Sequence, residues 1–327
     1  MSRVFVCEAS PSLALLKYWG KLDPHKNTPA TPSLGVSLGA LTTRTAVSAS
    51  EKESRDRVLL AGREQPLDRY LPFLEALREK LRTRMHFLAE SKNNFPTSAG
   101  LASSSSAFAA LAYACTAAVG ATLERAELSA LARVGSASAA RAVFGGFTLL
   151  PAGESSARQL FDEHYWPELR ILVSLVTRES KDTSSRDAME ASRRTSPFYP
   201  AWVKDAASLL PDALDALEKR DIERLGEAAR RSYLRMFATM LSADPPILYW
   251  LPESLSIIHE CERMRKAGIG VWETMDAGPQ VKLICLAGEV ADVRKGLLQA
   301  LPGLAIIESW AGPAPVCAEA EETPWHA

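Results

Sequence analysis

The feature that most constrains the fold of this chain is a run of small residues from Asn94 to Ser106, followed by an alanine-rich segment. Hydroxyl groups and a glycine in such a run allow backbone N–H groups to crowd around an anion. The apolar segment from Ala107 to Val119 predicts a helix whose positive end faces that anion, and Gly120 is placed to end it. The sequence therefore indicates a phosphate-binding loop, although a serine-rich cap on an ordinary helix has the same composition.

Length and charge set the organisation of the chain. At 327 residues it exceeds what one hydrophobic core usually supports, so we expect two domains. The apolar, β-branched run from Leu169 to Thr177 predicts the first strand of the second domain, which gives domains at residues 1–168 and 169–327. With 38 basic and 39 acidic residues, the net charge of −1 attracts neither nucleic acid nor a membrane, and we expect neither as a partner.

Cysteine and histidine usage predicts a cytoplasmic protein without a metal site of its own. The five cysteines are odd in number and scattered, which favours reduced, buried thiols over a disulfide framework. The five histidines show neither H-x-x-x-H spacing nor cysteine partners, so zinc is not indicated. The segment from Met1 to Ser10 is too weakly apolar for a signal peptide, and no apolar run approaches the roughly 20 residues that cross a bilayer.

Charged residues mark four other segments, and the cations in three of them could bind an anion. Lys17 and Lys21 bracket an aromatic pair and a glycine, so two ammonium groups can reach one ligand, although solvated lysines show the same pattern. Arg141 precedes a Gly-Gly turn, and its planar fork suits a carboxylate or phosphate, with a surface ion pair as the alternative. Arg186 lies in a polar segment with helix-capping residues, and Asp276 lies between a strand-like segment and a Gly-Pro turn.

Hydrophobic periodicity predicts a mixture of strands and helices. A short strand is expected from Arg3 to Ala9, and the alternating segment from Val36 to Ala49 predicts another strand. Helical spacing is found from Pro200 to Met240, with a break near Pro211, and again from Leu255 to Lys266. The tail beyond Ala311 is rich in Pro, Ala and Glu, so we expect it to be loose.

Five ordered segments together resemble the GHMP kinase superfamily and, within it, the mevalonate diphosphate decarboxylase family. The resemblance implies an α+β, GHMP kinase-like two-domain fold: an N-terminal part of the ribosomal protein S5 domain 2-like type, a ferredoxin-like C-terminal part and an active site in the cleft between them. It also implies a homodimer. The matching segments are Lys17 to Lys21, Asn94 to Ser106, Gly135 to Gly146, Ser184 to Asp187 with Thr195 to Pro197, and Met275 to Pro279.

The resemblance implies an ATP- and Mg²⁺-dependent decarboxylation of 5-diphosphomevalonate to isopentenyl diphosphate, with ADP, phosphate and CO₂ as the other products. Asp276 would orient the tertiary 3-hydroxyl and take its proton. Arg141 would hold the substrate carboxylate until CO₂ is lost, and Lys17 would balance negative charge as the phosphoryl group transfers. The substrate-binding residues implied are Tyr18, Lys21, Ser136, Ser138, Ser185 and Arg186, and the ATP-binding residues implied are Asn94, Ser98, Gly100, Ser103, Ser104 and Ser105.

The sequence departs from the family pattern at three places. Residues Pro29 to Ser33 replace an Asn-Ser-Ser or Asn-Asn-Ser segment near the substrate, and Phe237 stands where a histidine is usual. Glu273 stands where an aromatic residue is common. Because a carboxylate beside an anionic ligand is unfavourable, we expect Glu273 to point outward or to belong to a changed site. The alternatives are a decarboxylase of 5-phosphomevalonate, a kinase of the 3-hydroxyl without decarboxylation and a non-enzymatic binding protein.

Overall fold

The protein is described here by a computed structural model covering residues 3–23, 27–96, 102–179 and 181–320. In the N-terminal half the elements are β1 (Val4–Ala9), β2 (Ser12–Ala14), β3 (Lys21–Asp23), β4 (Thr28–Pro29), β5 (Ser33–Ser37), β6 (Thr43–Ser50), β7 (Arg57–Leu60), β8 (Arg63–Glu64), α1 (Leu71–Leu81), β9 (His86–Asn93), α2 (Ser103–Ala118), α3 (Arg125–Gly135), α4 (Ala139–Ala142), β10 (Phe147–Leu150) and β11 (Arg158–Phe161). In the C-terminal half they are β12 (Leu169–Leu175), α5 (Ser185–Thr195), α6 (Tyr199–Ser208), α7 (Leu210–Glu218), α8 (Ile222–Leu241), α9 (Pro252–Lys266), β13 (Val271–Met275), β14 (Val281–Leu286), α10 (Val290–Ala300), β15 (Ala305–Ser309) and β16 (Val316–Glu319).

The strands form three main sheets. The first has the order β16-β1-β6-β9-β7-β8, the second β11-β10-β5-β2 and the third β13-β14-β12-β15. Strands β3 and β4 form a separate antiparallel pair. Neighbouring strands pair antiparallel except for β7 and β9, which run parallel.

Helix α2 packs across the first sheet, against β1 and β6. Its alanines are buried, which allows close approach to the strands beneath it. Phe108 of this helix meets Phe73 of α1 edge to face, with ring centroids 5.6 Å apart. On the other side, a Cβ at Gly135 would lie 2.1 Å from the Phe108 ring, so α3 can end against α2 only with a glycine there.

The second and third sheets share one hydrophobic core. Leu34 and Val36 of β5 lie in the same buried cluster as Leu169 and Ile171 of β12 and Ile284 of β14. The two halves of the chain are therefore joined by apolar packing beneath the cleft described below. The division at residue 168 stays a prediction.

Two local expectations are wrong for the same reason. The segment from Val36 to Ala49 is two strands in different sheets, because the chain turns at Leu38 to bridge with Ala311. The tail expected to be loose contains β16, which pairs with β1 so that Cys317 lies opposite Cys7. In both cases the hydrogen-bond partner lies near the opposite end of the sequence. The local pattern of apolar residues cannot predict such a distant partner.

Among the residues that the structure describes, no helix combines the length and the apolar character that crossing a membrane would require.

Candidate active site

A cleft of about 760 Å³ lies where α2 begins, and residues from both halves of the chain line it. Positive side chains outnumber negative ones along its walls, which suits a ligand carrying several negative charges. The charged residues that line it are Lys17, Lys21, Arg69, Arg141, Lys181 and Arg186, together with Asp68, Asp182, Asp187 and Asp276.

Asp276 follows β13 and is held by two ammonium groups. Lys17 Nζ lies 2.9 Å from its Oδ1, and Lys282 Nζ lies 3.2 Å from its Oδ2. Burial opposes ionisation of this carboxyl group, but the two lysines outweigh that effect and hold the pKa of Asp276 well below its usual range. Asp276 is therefore an anion at neutral pH.

Lys17 is fixed by contacts from both halves of the chain. Its ammonium also donates to the carbonyl of Ala14 at 2.7 Å, and its backbone N–H donates to Ser232 Oγ of α8 at 2.8 Å. Burial lowers the pKa of Lys17 to about 8, and the attraction of Asp276 opposes this shift. The lysine can thus carry charge at neutral pH but lose it under mildly alkaline conditions.

Arg141 is buried on α4, and two serines orient its side chain toward the cleft. Its Nη1 donates to Ser33 Oγ at 2.6 Å and its Nε donates to Ser12 Oγ at 3.2 Å. The side chain crosses Gly35, where a Cβ would lie 2.6 Å from Nε. Burial lowers the pKa of Arg141 to about 10, and the Asp276 carboxylate opposes the shift, so the guanidinium stays charged at neutral pH.

The residues implied for substrate binding line the same cleft. Three hydroxyls form a chain, with Ser136 Oγ 3.2 Å from Ser104 Oγ and 3.1 Å from Ser138 Oγ. Burial, followed by the charge of Arg186, lowers the pKa of Lys21 to about 8. The structure brings together Lys17, Tyr18, Lys21, Ser136, Ser138, Arg141, Ser185, Arg186 and Asp276. Their separate roles stay predictions.

The residues implied for ATP binding fall into three groups. Ser103 and Ser104 line the cleft and also a second cavity of about 310 Å³. Ser105 is buried. Its hydroxyl accepts a hydrogen bond from Ser12 N at 3.0 Å and donates one to the carbonyl of Ala102 at 2.7 Å. The Asn94 side chain binds the backbone just before β6: its Oδ1 accepts from Thr42 N at 2.8 Å, and its Nδ2 donates to the Ala40 carbonyl at 3.1 Å.

The side chains of Ser105 and Asn94 therefore bind the backbone of the described segments, and direct contact of either with ATP stays a prediction. Ser98 and Gly100 lie outside the described residues. Helix α2 does not have the serine cap considered above, because its N-cap is Ala102, in the left-handed region at φ 55. Its first N–H groups are thus not capped by that side chain, which suits a helix end that meets an anion.

The structure adds two lysines that the sequence reasoning did not assign to the site. Lys181 donates to Ser185 Oγ at 2.6 Å and to the carbonyl of Ala277 at 2.5 Å. Burial lowers its pKa to about 8, and the Asp276 charge opposes the shift. Lys282 binds Asp276 from β14. The signal for Lys282 was present, since it is a lysine within an otherwise apolar strand, Val281–Leu286.

The three departures from the family pattern have structural explanations. Glu273 is neither outward nor in the cleft: it is 0% exposed and faces α8 and α9, where Arg230 and Arg265 bind it at 2.8 and 2.7 Å. The expectation of an outward position is wrong because two guanidinium groups compensate its burial. Phe237 is buried and stacks on Trp250 at 5.2 Å. In the loop at residues 29–33, Thr31 Oγ1 accepts from Trp19 N at 3.2 Å.

The cationic cleft, the helix end and the lysine-bound aspartate are the features of a phosphoryl-transfer site. Residues 9–160 match the family model of the diphosphomevalonate decarboxylase-like N-terminal domain, and residues 171–323 match that of the mevalonate 5-diphosphate decarboxylase C-terminal domain. The chain belongs to the diphosphomevalonate decarboxylase family. This confirms the resemblance and the fold class that the sequence motifs indicated.

Individual relatives agree with this assignment. The chain is 34% identical over 296 residues to a diphosphomevalonate decarboxylase of Candida albicans, covering 83% of this chain and 81% of the relative. The mevalonate diphosphate decarboxylase structure from Staphylococcus aureus has a TM-score of 0.92 at 33% identity, covering 98% of this chain and 99% of that one. A structure described as MDDEF in complex with MVAPP, AMPPCP and magnesium has a TM-score of 0.91 at 35% identity, covering 97% and 99%.

Proposed function

We propose that this chain catalyses the ATP-dependent decarboxylation of mevalonate 5-diphosphate to isopentenyl diphosphate, releasing ADP, phosphate and CO₂. The observation that carries the proposal is the convergence of Asp276, Lys17 and Arg141 on one cleft beside the first turn of α2. A carboxylate, an ammonium and a guanidinium are the groups that a tertiary alcohol, a transferring phosphoryl group and a substrate carboxylate require.

In the first step, the 3-hydroxyl oxygen attacks the γ-phosphorus of ATP and the bond to ADP breaks. Asp276 accepts the hydroxyl proton. Because its two lysines make it a weak base, Asp276 orients the hydroxyl in the ground state and takes the proton only as the new O–P bond forms. Lys17 offsets the negative charge of the phosphoryl group in transfer.

In the second step, the new 3-phosphate departs with its bonding electron pair and leaves an electron-poor carbon. The bond between C2 and the carboxylate then breaks, its electrons form the double bond, and CO₂ is released. Arg141 holds the carboxylate in line until that bond breaks. The buried serine contacts of Arg141 fix its orientation, so little side-chain entropy is lost when the substrate binds.

The second cavity suits the base of the nucleotide. It opens beside Ser103 and Ser104, which it shares with the cleft, and its other walls include Leu59, Tyr70 and Phe108. Aromatic and aliphatic side chains favour a flat purine ring, while the shared serines place the phosphates at the helix end.

Magnesium would be held mainly by the nucleotide. No three His, Cys, Asp or Glu side chains come together as a metal site within the described ranges. The hydroxyls of Ser103 and Ser104 are oxygen donors of the type that Mg²⁺ accepts alongside phosphate oxygens and water, so the residues present fit the ion. When bound, Mg²⁺ would neutralise phosphate charge.

The test is to incubate the purified protein with ATP and Mg²⁺ and, separately, mevalonate, its 5-phosphate and its 5-diphosphate, measuring ADP and CO₂ independently. We expect equal amounts of ADP and CO₂ with the 5-diphosphate. ADP without CO₂ would indicate a 3-hydroxyl kinase, and turnover only with the 5-phosphate would replace the proposed substrate with the smaller ester. Absence of ADP with all three would indicate a binding protein.

We also propose that the enzyme acts in the cytoplasm as a homodimer, on the strength of the family resemblance. Four of its cysteines are buried free thiols and Cys317 is half-buried, which suits a reducing compartment. Sedimentation equilibrium supports the dimer at twice the chain mass of 35.6 kDa and contradicts it at the chain mass.

A further inference from the structure

The two lysines that bind Asp276 do not stand in equivalent places. Lys17 lines the cleft together with Asp276, whereas Lys282 is not among the residues lining it. Lys282 is 1% exposed and lies on β14, opposite Thr274 of β13. It therefore reaches Asp276 from the third sheet and pairs with Oδ2, whereas Lys17 pairs with Oδ1.

This asymmetry matters once an anionic ligand enters. Lys17 can then divide its charge between Asp276 and a phosphate, because the cleft is open to it. Lys282 has no comparable access, so its charge remains with the carboxylate. Without Lys282, Asp276 would lose one counter-ion permanently and share the other with the phosphate.

We propose that Lys282 is a positioning residue for the decarboxylation: its ammonium fixes the Oδ2 side of Asp276 and keeps the carboxylate anionic while Lys17 serves the transferring phosphate. This inference rests on the proposed function, in which Asp276 accepts the hydroxyl proton. Lys282 touches neither substrate nor nucleotide and acts only through Asp276.

The charged groups that face Asp276 come from four elements. They are Lys17 from the segment between β2 and β3, Lys282 from β14, Lys181 from the segment before α5, and Arg141 from α4. All four are cations and each favours the anionic carboxylate. Removing Lys282 therefore raises the pKa of Asp276, and the pH below which Asp276 is protonated and inactive moves upward.

The kinetic test compares Lys282→Met with the unchanged enzyme. We expect kcat to fall about tenfold while the KM values for ATP and mevalonate 5-diphosphate change less than about twofold, because the contacts to both ligands remain. The acid limb that protonation of Asp276 causes should lie at a higher pH than in the unchanged enzyme. Lys282→Arg should restore part of kcat and return the acid limb of the pH profile to its position in the unchanged enzyme, because arginine keeps the positive charge.

Lys219→Met serves as the matched control, because it also removes one lysine but lies at an exposed pair with Asp215. It should leave kcat, KM and the pH profile unchanged. A Lys282→Met enzyme with unchanged kcat and an unchanged acid limb would overturn the proposal. So would a loss of kcat with the acid limb unmoved and no rescue by arginine, because that result would show a structural role only.

A second measurement does not need turnover. Aspartate labelled with ¹³C at its carboxyl carbon gives one NMR signal per residue, and the signal missing from Asp276→Asn identifies Asp276. We expect it to titrate at a higher pH in Lys282→Met than in the unchanged protein, and identical titrations would overturn the proposal. If the unchanged protein releases no CO₂ while this difference is present, the proposed function fails but the hold of Lys282 on Asp276 is established.

Discussion

Two carboxylates lie close together in the sequence, Glu273 on strand β13 and Asp276 directly after it, and each is bound by two cations. The two charge clusters differ in their exposure and in the kind of cation. Glu273 is 0% exposed and is bound by Arg230 and Arg265, which belong to α8 and α9. Asp276, three residues later, has a side chain that is 22% exposed and is bound by Lys17 and Lys282. One cluster is closed within the packing of the helices and the other opens on the cleft.

The identity of the cations explains the difference. An arginine holds a carboxylate through a rigid fork and stays charged, which suits a permanent link between a strand and two helices. A lysine is a flexible point charge whose pKa shifts on burial, which suits a group that must exchange partners during a reaction. Arginines therefore fix the fold at Glu273, whereas lysines at Asp276 leave the carboxylate available for chemistry.

The largest effect should come from removing the open carboxylate. In Asp276→Asn, we expect kcat to fall by about a thousandfold or more, because the amide cannot take the hydroxyl proton. ATP binding, measured by calorimetry, should change little since the helix end and the second cavity are untouched. Activity close to that of the unchanged enzyme would refute the role assigned to Asp276.

Removing the closed carboxylate should instead affect stability. In Glu273→Gln, two guanidinium groups lose a buried partner, and we expect the free energy of unfolding to fall by about 3 kcal/mol. Chemical denaturation measures this, while kcat at a temperature where the variant stays folded should remain within about twofold. The control Glu262→Gln, which breaks an exposed pair with Lys266, should leave the melting temperature essentially unchanged. A stable but inactive Glu273→Gln protein would contradict the division between the clusters.

The pH dependence of activity should reflect the lysines of the cleft, because their charges are lost at a lower pH than those of arginines. Burial lowers the pKa of Lys17 to about 8 and that of Lys181 to about 8. Well above pH 8, kcat/KM should therefore fall by about a hundredfold per pH unit, which is tenfold for each of the two charges lost. An anionic substrate raises both values, and kcat should therefore decline only at higher pH.

The contribution of these lysines to the free energy of unfolding should rise over the same pH range in which kcat/KM falls. Between about 8 and the unperturbed lysine value of 10.5, the folded chain releases the Lys17 proton before the unfolded chain does. The contribution of this group to the free energy of unfolding therefore rises with pH. Parallel losses of activity and secondary structure, measured by circular dichroism, would show unfolding instead of deprotonation.

The smallest effect concerns the link between the clusters. Ser232 lies on α8 between Arg230 and Tyr233, which both bind Glu273, and it accepts a hydrogen bond from the backbone of Lys17. We expect Ser232→Ala to lower the free energy of unfolding by about 1 kcal/mol and kcat/KM by about threefold. Ser192→Ala is the control, since that buried hydroxyl bonds only its own helix at Ala188 in the described structure and should leave kcat/KM unchanged. Equal effects of the two changes would show that α8 does not position Lys17.

The sequence predicted the open cluster better than the closed one. Asp276, Arg141 and Lys17 belong to ordered motifs, and the structure places all three in one cleft. Lys282 stands out as a lysine in an apolar strand, but its pairing with Asp276, like the partners of Glu273, depends on which residues face each other across β13, β14 and two helices. That information lies in the register of distant segments, which no local pattern of apolar residues specifies.

The pairing of β16 with β1 also sets the order in which the protein can be completed during synthesis. Residues Val4–Ala9 leave the ribosome long before Val316–Glu319 exist, so β1 must wait with one edge unpaired while the C-terminal half is made. An open strand edge is a template on which other chains can add. Strand β16, the last of the described strands to emerge, thus closes the edge that β1 leaves open, and it protects the completed chain from edge-to-edge association.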